Sequence, residues 1–202
     1  MAICQIYLPF IVEFRHNKIR KMAERIGFIT SNIYQGTSIA MWKALSEVFR
    51  SVSDCSLFIL PGGRLNAADD SENMRSMIYD LACRGSLDGI IIWASSLSGF
   101  ARKSDITRFV REIAADIPAV VIGMDADGIP SVTFDDYSGI RALVSHFIEV
   151  HGERRIAFLR GPENHGGAEE RYRAYCDALS VHGIAVDNRL VSEPHGWNDG
   201  VG

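Results

Sequence analysis

Asp135 and Asp136 form an adjacent carboxylate pair. Paired carboxylates can share acid–base work. This pair stands directly before a helical pattern, where acidic side chains meet the positive end of the helix dipole. N-capping is therefore the stronger expectation. His146 and His151 are five positions apart and would not share a face of one continuous helix. His16, His165, His182 and His195 are scattered, no HExxH is present, and surface or capping roles are expected for all six. Ser95-Ser96 follows an apolar strand pattern, but no GxSxG elbow surrounds it and no His/Asp arrangement is legible around it. Cys4, Cys55, Cys83 and Cys176 contain no CxxC pair, which argues against a zinc ribbon or a disulfide scaffold and for reduced thiols. There is no GxxxxGK[ST] loop. Gly200-Val201-Gly202 follows no strand that could make it a dinucleotide-binding turn. No catalytic residue, metal ligand set or cofactor site is indicated.

The elements that would position such residues are regular from Arg25 onward. Ile26–Ile29, Ser56–Leu60, Ile90–Trp93, Ala119–Ile122 and the shorter Ser131–Phe134 are apolar runs bounded by polar or Gly/Pro turns. Between them, Met41–Phe49, Met74–Ala82 and Ile106–Ile113 have helical spacing, the last with Ser104 as its expected N-cap. Strands apolar throughout are buried on both faces, and strands alternating with amphipathic helices imply crossovers. The fold class is thus α/β, a parallel doubly wound sheet. The pattern restarts with a helix over Ile140–Ile148, a strand over Arg155–Leu159 and a helix through Tyr172, Tyr175 and Leu179. A lone strand with two helices buries its apolar faces poorly. Three regions follow: an arm or linker over 1–24, a first lobe over 25–135, and an incomplete second lobe over 136–202.

The balance of charge is −4, so no whole-domain basic field for nucleic acid exists. The best apolar run, Ile6–Phe14 with Pro9 and Glu13 inside it, falls far short of the roughly 20 residues of a membrane span. In open parallel sheets, ligands bind beyond the carboxyl ends of the strands. Those ends are Thr30-Ser31-Asn32, Pro61-Gly62-Gly63, Ala94-Ser95-Ser96, Gly123-Met124-Asp125 and Arg160-Gly161-Pro162. Small polar groups there suit recognition of hydroxyls rather than bond-breaking.

The stretch from Asp116 to Val191 resembles the LacI/GalR effector-binding fold, which is periplasmic-binding-protein-like of type I. The likeness is carried by Ile117–Ile122, Ile129–Asp136, His151-Gly152-Glu153-Arg154-Arg155, Ile156–Pro162, Arg171–Tyr175 and His182-Gly183-Ile184. Arg25–Ile29 is similar to the family's first strand. The resemblance implies two lobes hinged by crossing strands, with a small-molecule effector in the cleft. It places Arg171 in that cleft, in an Arg-x-x-Gly-aromatic motif whose Gly is Ala174 here, and puts Asn32, Tyr34, Ser95 and Ser96 in cleft loops. The family often has Asp where this chain has Gly123; Asp125 is the substitute. No recognition helix precedes Arg25. Arg64-Leu65 and Thr30-Ser31-Asn32 look similar to headpiece-less sensors fused to cyclases or kinases. The resemblance therefore implies a cytoplasmic homodimeric sensor, not an enzyme and without DNA contact of its own. The alternatives are a repressor whose headpiece lies outside this sequence and, more remotely, an enzyme on a similar open sheet.

Overall fold

The computed structural model describes residues 23–195 apart from Ser53 and Phe100. The arm expected over 1–24 lies outside these, save its last two residues, as does Gly200-Val201-Gly202. Five parallel strands form one sheet: β1 (Glu24–Thr30), β2 (Cys55–Pro61), β3 (Gly89–Trp93), β4 (Ala119–Ile122) and β5 (Ser131–Val132), in the order β2-β1-β3-β4-β5. The register sets Phe28 beside both Ile59 and Ile91, and Trp93 beside Ile122. The helices α1 (Gly36–Arg50), α2 (Asp70–Ser76) and α3 (Lys103–Ala114) connect these strands.

Side-chain alternation divides each apolar run between two cores. Phe28, Ile91, Trp93 and Ile122 pack toward Leu45 and Phe49 of α1. Ile29, Ile92 and Val121 pack the other way, toward Ile106, Val110 and Ile113 of α3. Phe28, Ile29 and Ile92 are each 0 % exposed. Burial on both faces is why these strands are apolar at consecutive positions rather than at alternate ones.

Two expectations for this unit need correction. The helix over Met74–Ala82 is α2 up to Ser76 and then a 3₁₀ helix over Met77–Arg84. Of the expected inner stripe Met74, Met77 and Leu81 are exposed, while Ile78 packs against the core and Tyr79 and Ala82 are buried. Those two are three apart, as 3₁₀ geometry requires of neighbours on one face. The N-cap of α3 is Arg102, not Ser104: the Asp105 carboxylate accepts from the Arg102 backbone N–H at 3.3 Å, starting the helix earlier.

The second unit has α4 (Asp136–Glu149) against α5 (Gly166–Val181), joined by Val144, Ile148, Tyr175, Ala178 and Leu179. The strand expected over Arg155–Leu159 is a single parallel bridge, Phe158 to Val191, beside a 3₁₀ turn at Asn188–Leu190. Among the described residues only that segment offers Phe158 backbone partners, through Leu190 O and the Ser192 N–H. Leu159 is accordingly 82 % exposed. The sheet of this unit is incomplete within the described residues.

Candidate functional site

The strand tips are tied together by backbone and hydroxyl hydrogen bonds. The Ser31 N–H donates to Ser96 Oγ at 3.1 Å, and Ser96 Oγ donates to Trp93 O at 2.7 Å, joining the ends of β1 and β3. The Gly62 and Gly63 N–H groups donate to Thr30 O and Ser31 O, joining β1 to β2. Beneath them the buried Tyr79 hydroxyl lies 2.6 Å from Gly63 O and 3.0 Å from Thr30 O. Burial pushes this phenol well above its ordinary range, so it stays a neutral donor. Glu72 receives three hydrogen bonds from Arg64, from N at 2.8 Å, Nε at 3.1 Å and Nη2 at 3.3 Å. Burial raises Glu72, but the hydrogen bonds from Arg64 outweigh it and hold the carboxyl below the usual range.

At the tip of β4, Gly123 has φ +78°, and a Cβ there would stand 2.1 Å from Ser95 Oγ. That hydroxyl accepts from Trp93 Nε1 at 3.0 Å. The acidic side chain common at this position in the resembled family has no room here, because Ser95 fills the space.

A cavity of about 660 Å³ runs along α1 and the sheet face that carries Ile91 and Ile122. Its lining is mainly apolar, with Glu24, Thr37 and Glu47 and, from the strand tips and the second unit, Trp93, Ser95, Phe134, Asp136, His165 and Arg171. The two acidic residues before α4 have separated. Asp135 is the N-cap, accepting from the Ser138 N–H at 2.9 Å, which holds its carboxyl below the usual range. Asp136 instead turns toward α5, with Oδ1 3.6 Å from Arg171 Nε. Arg171 Nε also donates to Gly167 O at 2.8 Å. His165 is the N-cap of α5: its Nδ1 accepts from the Ala168 N–H at 3.2 Å, which places the ring proton on Nε2. Burial first, and Arg171 second, lower its pKa, so the ring is neutral near pH 7. The cluster thus combines a hydroxyl, a carboxylate, a guanidinium, a neutral imidazole and two aromatic rings.

Of the residues expected from sequence, Ser95 and Arg171 line this cavity together. Ser96 and Asn32 belong to the tip network, Asn32 Nδ2 donating to Ser31 Oγ and its Oδ1 accepting from the Gln35 N–H. Tyr34 is 59 % exposed, and its hydroxyl accepts from Arg75 at 3.3 Å, away from the cavity. Asp125 is exposed and does not line it. Sequence reasoning missed Trp93, Phe134, Asp136 and His165. The visible signals were an aromatic at a strand tip and a second carboxylate beside a cap. A second hollow, of about 470 Å³, is lined by Gly99, Pro162–Asn164 and Glu193–His195.

Among the described residues no group of three or more His, Cys, Asp or Glu could hold a metal ion. No described helix is long and apolar enough to cross a membrane.

Residues 24–196 match the family model for periplasmic binding proteins and the sugar-binding domain of the LacI family. Among curated protein sequences there is no match. Similar solved structures include the Escherichia coli transcriptional repressor ascG, at 24 % identity and TM-score 0.59, covering 86 % of this chain and 59 % of that one. A sugar-binding LacI-family regulator from Escherichia coli, complexed with phosphate, has 24 % identity and TM-score 0.61, over 88 % and 60 % of the two chains. The transcription regulator CcpA of Lactococcus lactis has 21 % identity and TM-score 0.63, over 84 % and 58 %. At these identities the likeness is one of fold, and the chain spans about three fifths of each structure's length.

Proposed function

The chain belongs to the family of periplasmic binding proteins and LacI-type sugar-binding domains, and we propose that it binds a small, uncharged, polyhydroxylated effector as the sensing part of a regulator. The observation that carries this is the polar group in the cavity lining. Arg171 and Asp136 are within 3.6 Å of each other, so their charges cancel locally. With His165 neutral, the cluster has no net charge to attract an anion. Guanidinium and carboxylate still offer directed donors and acceptors for vicinal hydroxyls. Phe134, exposed among the lining residues, offers an aromatic surface for the C–H side of a sugar-like ring. Ser95 Oγ accepts from Trp93 Nε1 and His165 Nδ1 accepts from the Ala168 N–H, pairings that support recognition over catalysis.

Effector binding favours a closed arrangement of the two units through its differential affinity for it. The output is transcriptional or an attached signalling enzyme, and the setting is cytoplasmic. Phe58 on the edge strand β2, and Met74, Met77 and Leu81 in the segment before β3, are exposed apolar side chains, and such exposure supports homodimerisation.

The test is a thermal-shift screen with neutral sugars, nucleosides and small acids, because a ligand of the native state raises the melting temperature by mass action. A neutral polyol should stabilise the chain. Arg171→Ala and Asp136→Asn should each remove that shift while leaving the unliganded melting temperature within a few degrees. Stabilisation by carboxylic acids alone, or an undiminished shift in both variants, refutes this site.

A further inference from the structure

Helix α4 stops at Glu149, and the chain then reverses. The Val150 N–H donates to His146 O, the Gly152 N–H to Ile148 O, and the Glu153 N–H to Phe147 O. Gly152 takes φ +70° to complete the turn. This capped end folds His151 back over the last turn of α4. The His146 and His151 Nε2 atoms come to 3.2 Å, with ring planes 78° apart. The five-residue spacing that separates these rings on a continuous helix brings them together once the helix has ended.

From this geometry we infer a two-histidine surface site for a borderline divalent transition ion, with Cu²⁺ preferred over Ni²⁺ and Zn²⁺. Two nitrogens 3.2 Å apart, each about 2.0–2.1 Å from a shared ion, subtend roughly 100° at that ion. That angle suits tetrahedral or tetragonal coordination. The helix and a turn held by three backbone hydrogen bonds fix the two backbone positions from which the rings meet. A cation there also meets the negative end of the α4 dipole. Both rings are exposed, so an ion and its waters reach them directly. Glu149 is engaged by His182 Nε2 at 2.8 Å, and no third protein ligand completes the set among the described residues. Water fills the remaining positions, and the ion exchanges readily. Ligation needs the lone pair of both Nε2 atoms, so the ring that donates its Nε2 proton in the 3.2 Å contact must carry that proton on Nδ1 instead. The cation preference follows the usual affinity order of imidazole sites.

The test is calorimetric titration of the full chain with CuCl₂, NiCl₂ and ZnCl₂, alongside His146→Gln, His151→Gln and the double variant. One saturable equivalent is expected, strongest for copper. Removing either ring should weaken it by about 10–100-fold or more, at least the loss usual for a missing second-shell contact. The copper adduct's electron paramagnetic resonance spectrum should show two imidazole nitrogens. Uptake equal in the wild type and the double variant, or a spectrum without paired imidazoles, overturns the site. Circular dichroism of the variants separates lost ligation from lost fold. None of these readouts depends on the effector cavity.

Discussion

Gly123→Ala tests the packing at the tip of β4. The backbone there has φ +78°, and the added Cβ would sit 2.1 Å from Ser95 Oγ and 2.7 Å from Ser95 Cβ. The left-handed conformation costs a β-carbon about 1–2 kcal/mol. The collision forces Ser95 away and breaks its hydrogen bond from Trp93 Nε1. A largely buried indole N–H left unpaired costs about 1–3 kcal/mol. The expected total is about 3 kcal/mol, a fall in melting temperature of roughly 6–12 °C for a domain of this size. Urea unfolding measures it. The clash component is isolated by Ser95→Gly, which deletes both colliding atoms and already breaks the Trp93 bond. In the Ser95→Gly background, Gly123→Ala should cost only the backbone strain, leaving a coupling energy of about 1–2 kcal/mol. A Gly123→Ala cost under about 0.5 kcal/mol, or strict additivity of the two substitutions, refutes the account of why this position is glycine.

Tyr79→Phe removes a buried hydroxyl that bridges the ends of β1 and β2; it should destabilise by about 1–2 kcal/mol in urea unfolding and speed amide exchange at Gly62 and Gly63. His182 has a pKa raised first by the Ala178 carbonyl at Nδ1 and then by Glu149 at Nε2. Its contribution to α4–α5 docking is therefore complete below the unfolded value of about 6.5 and is lost as pH rises through the higher folded value. Urea midpoints from about pH 5.5 to 9 should decline on the alkaline side, and His182→Gln should flatten that decline. His165, lowered by burial, gives a slope of opposite sign below its ordinary value and does not mask this window.

The parallel sheet was legible in the sequence because burial on both faces leaves a local mark. Ile90-Ile91-Ile92 can be apolar at three consecutive positions only where each face is covered, and the structure buries all three. The polar strand tips were legible for the same local reason: Thr30-Ser31-Asn32 and Ala94-Ser95-Ser96 stop apolar runs. Arg171, which the family likeness marks in the sequence, is among the residues lining the cavity.

What composition and spacing could not supply was how neighbouring residues divide their roles. Asp135 and Asp136 are chemically identical, and only the helix start decides that one caps α4 while the other faces Arg171. The spacing of Met74, Met77 and Leu81 described one α-helix, but the winding is α only to Ser76, and a buried Tyr79 hydroxyl anchored to β1 and β2 goes with a 3₁₀ turn that leaves Met77 and Leu81 outward. Periodicity thus determined the layers of this protein, because burial repeats with the backbone. Contacts such as His146 with His151, or Ser95 with Gly123, were decided by tertiary structure, because chain reversals set them and one-dimensional spacing does not encode a reversal.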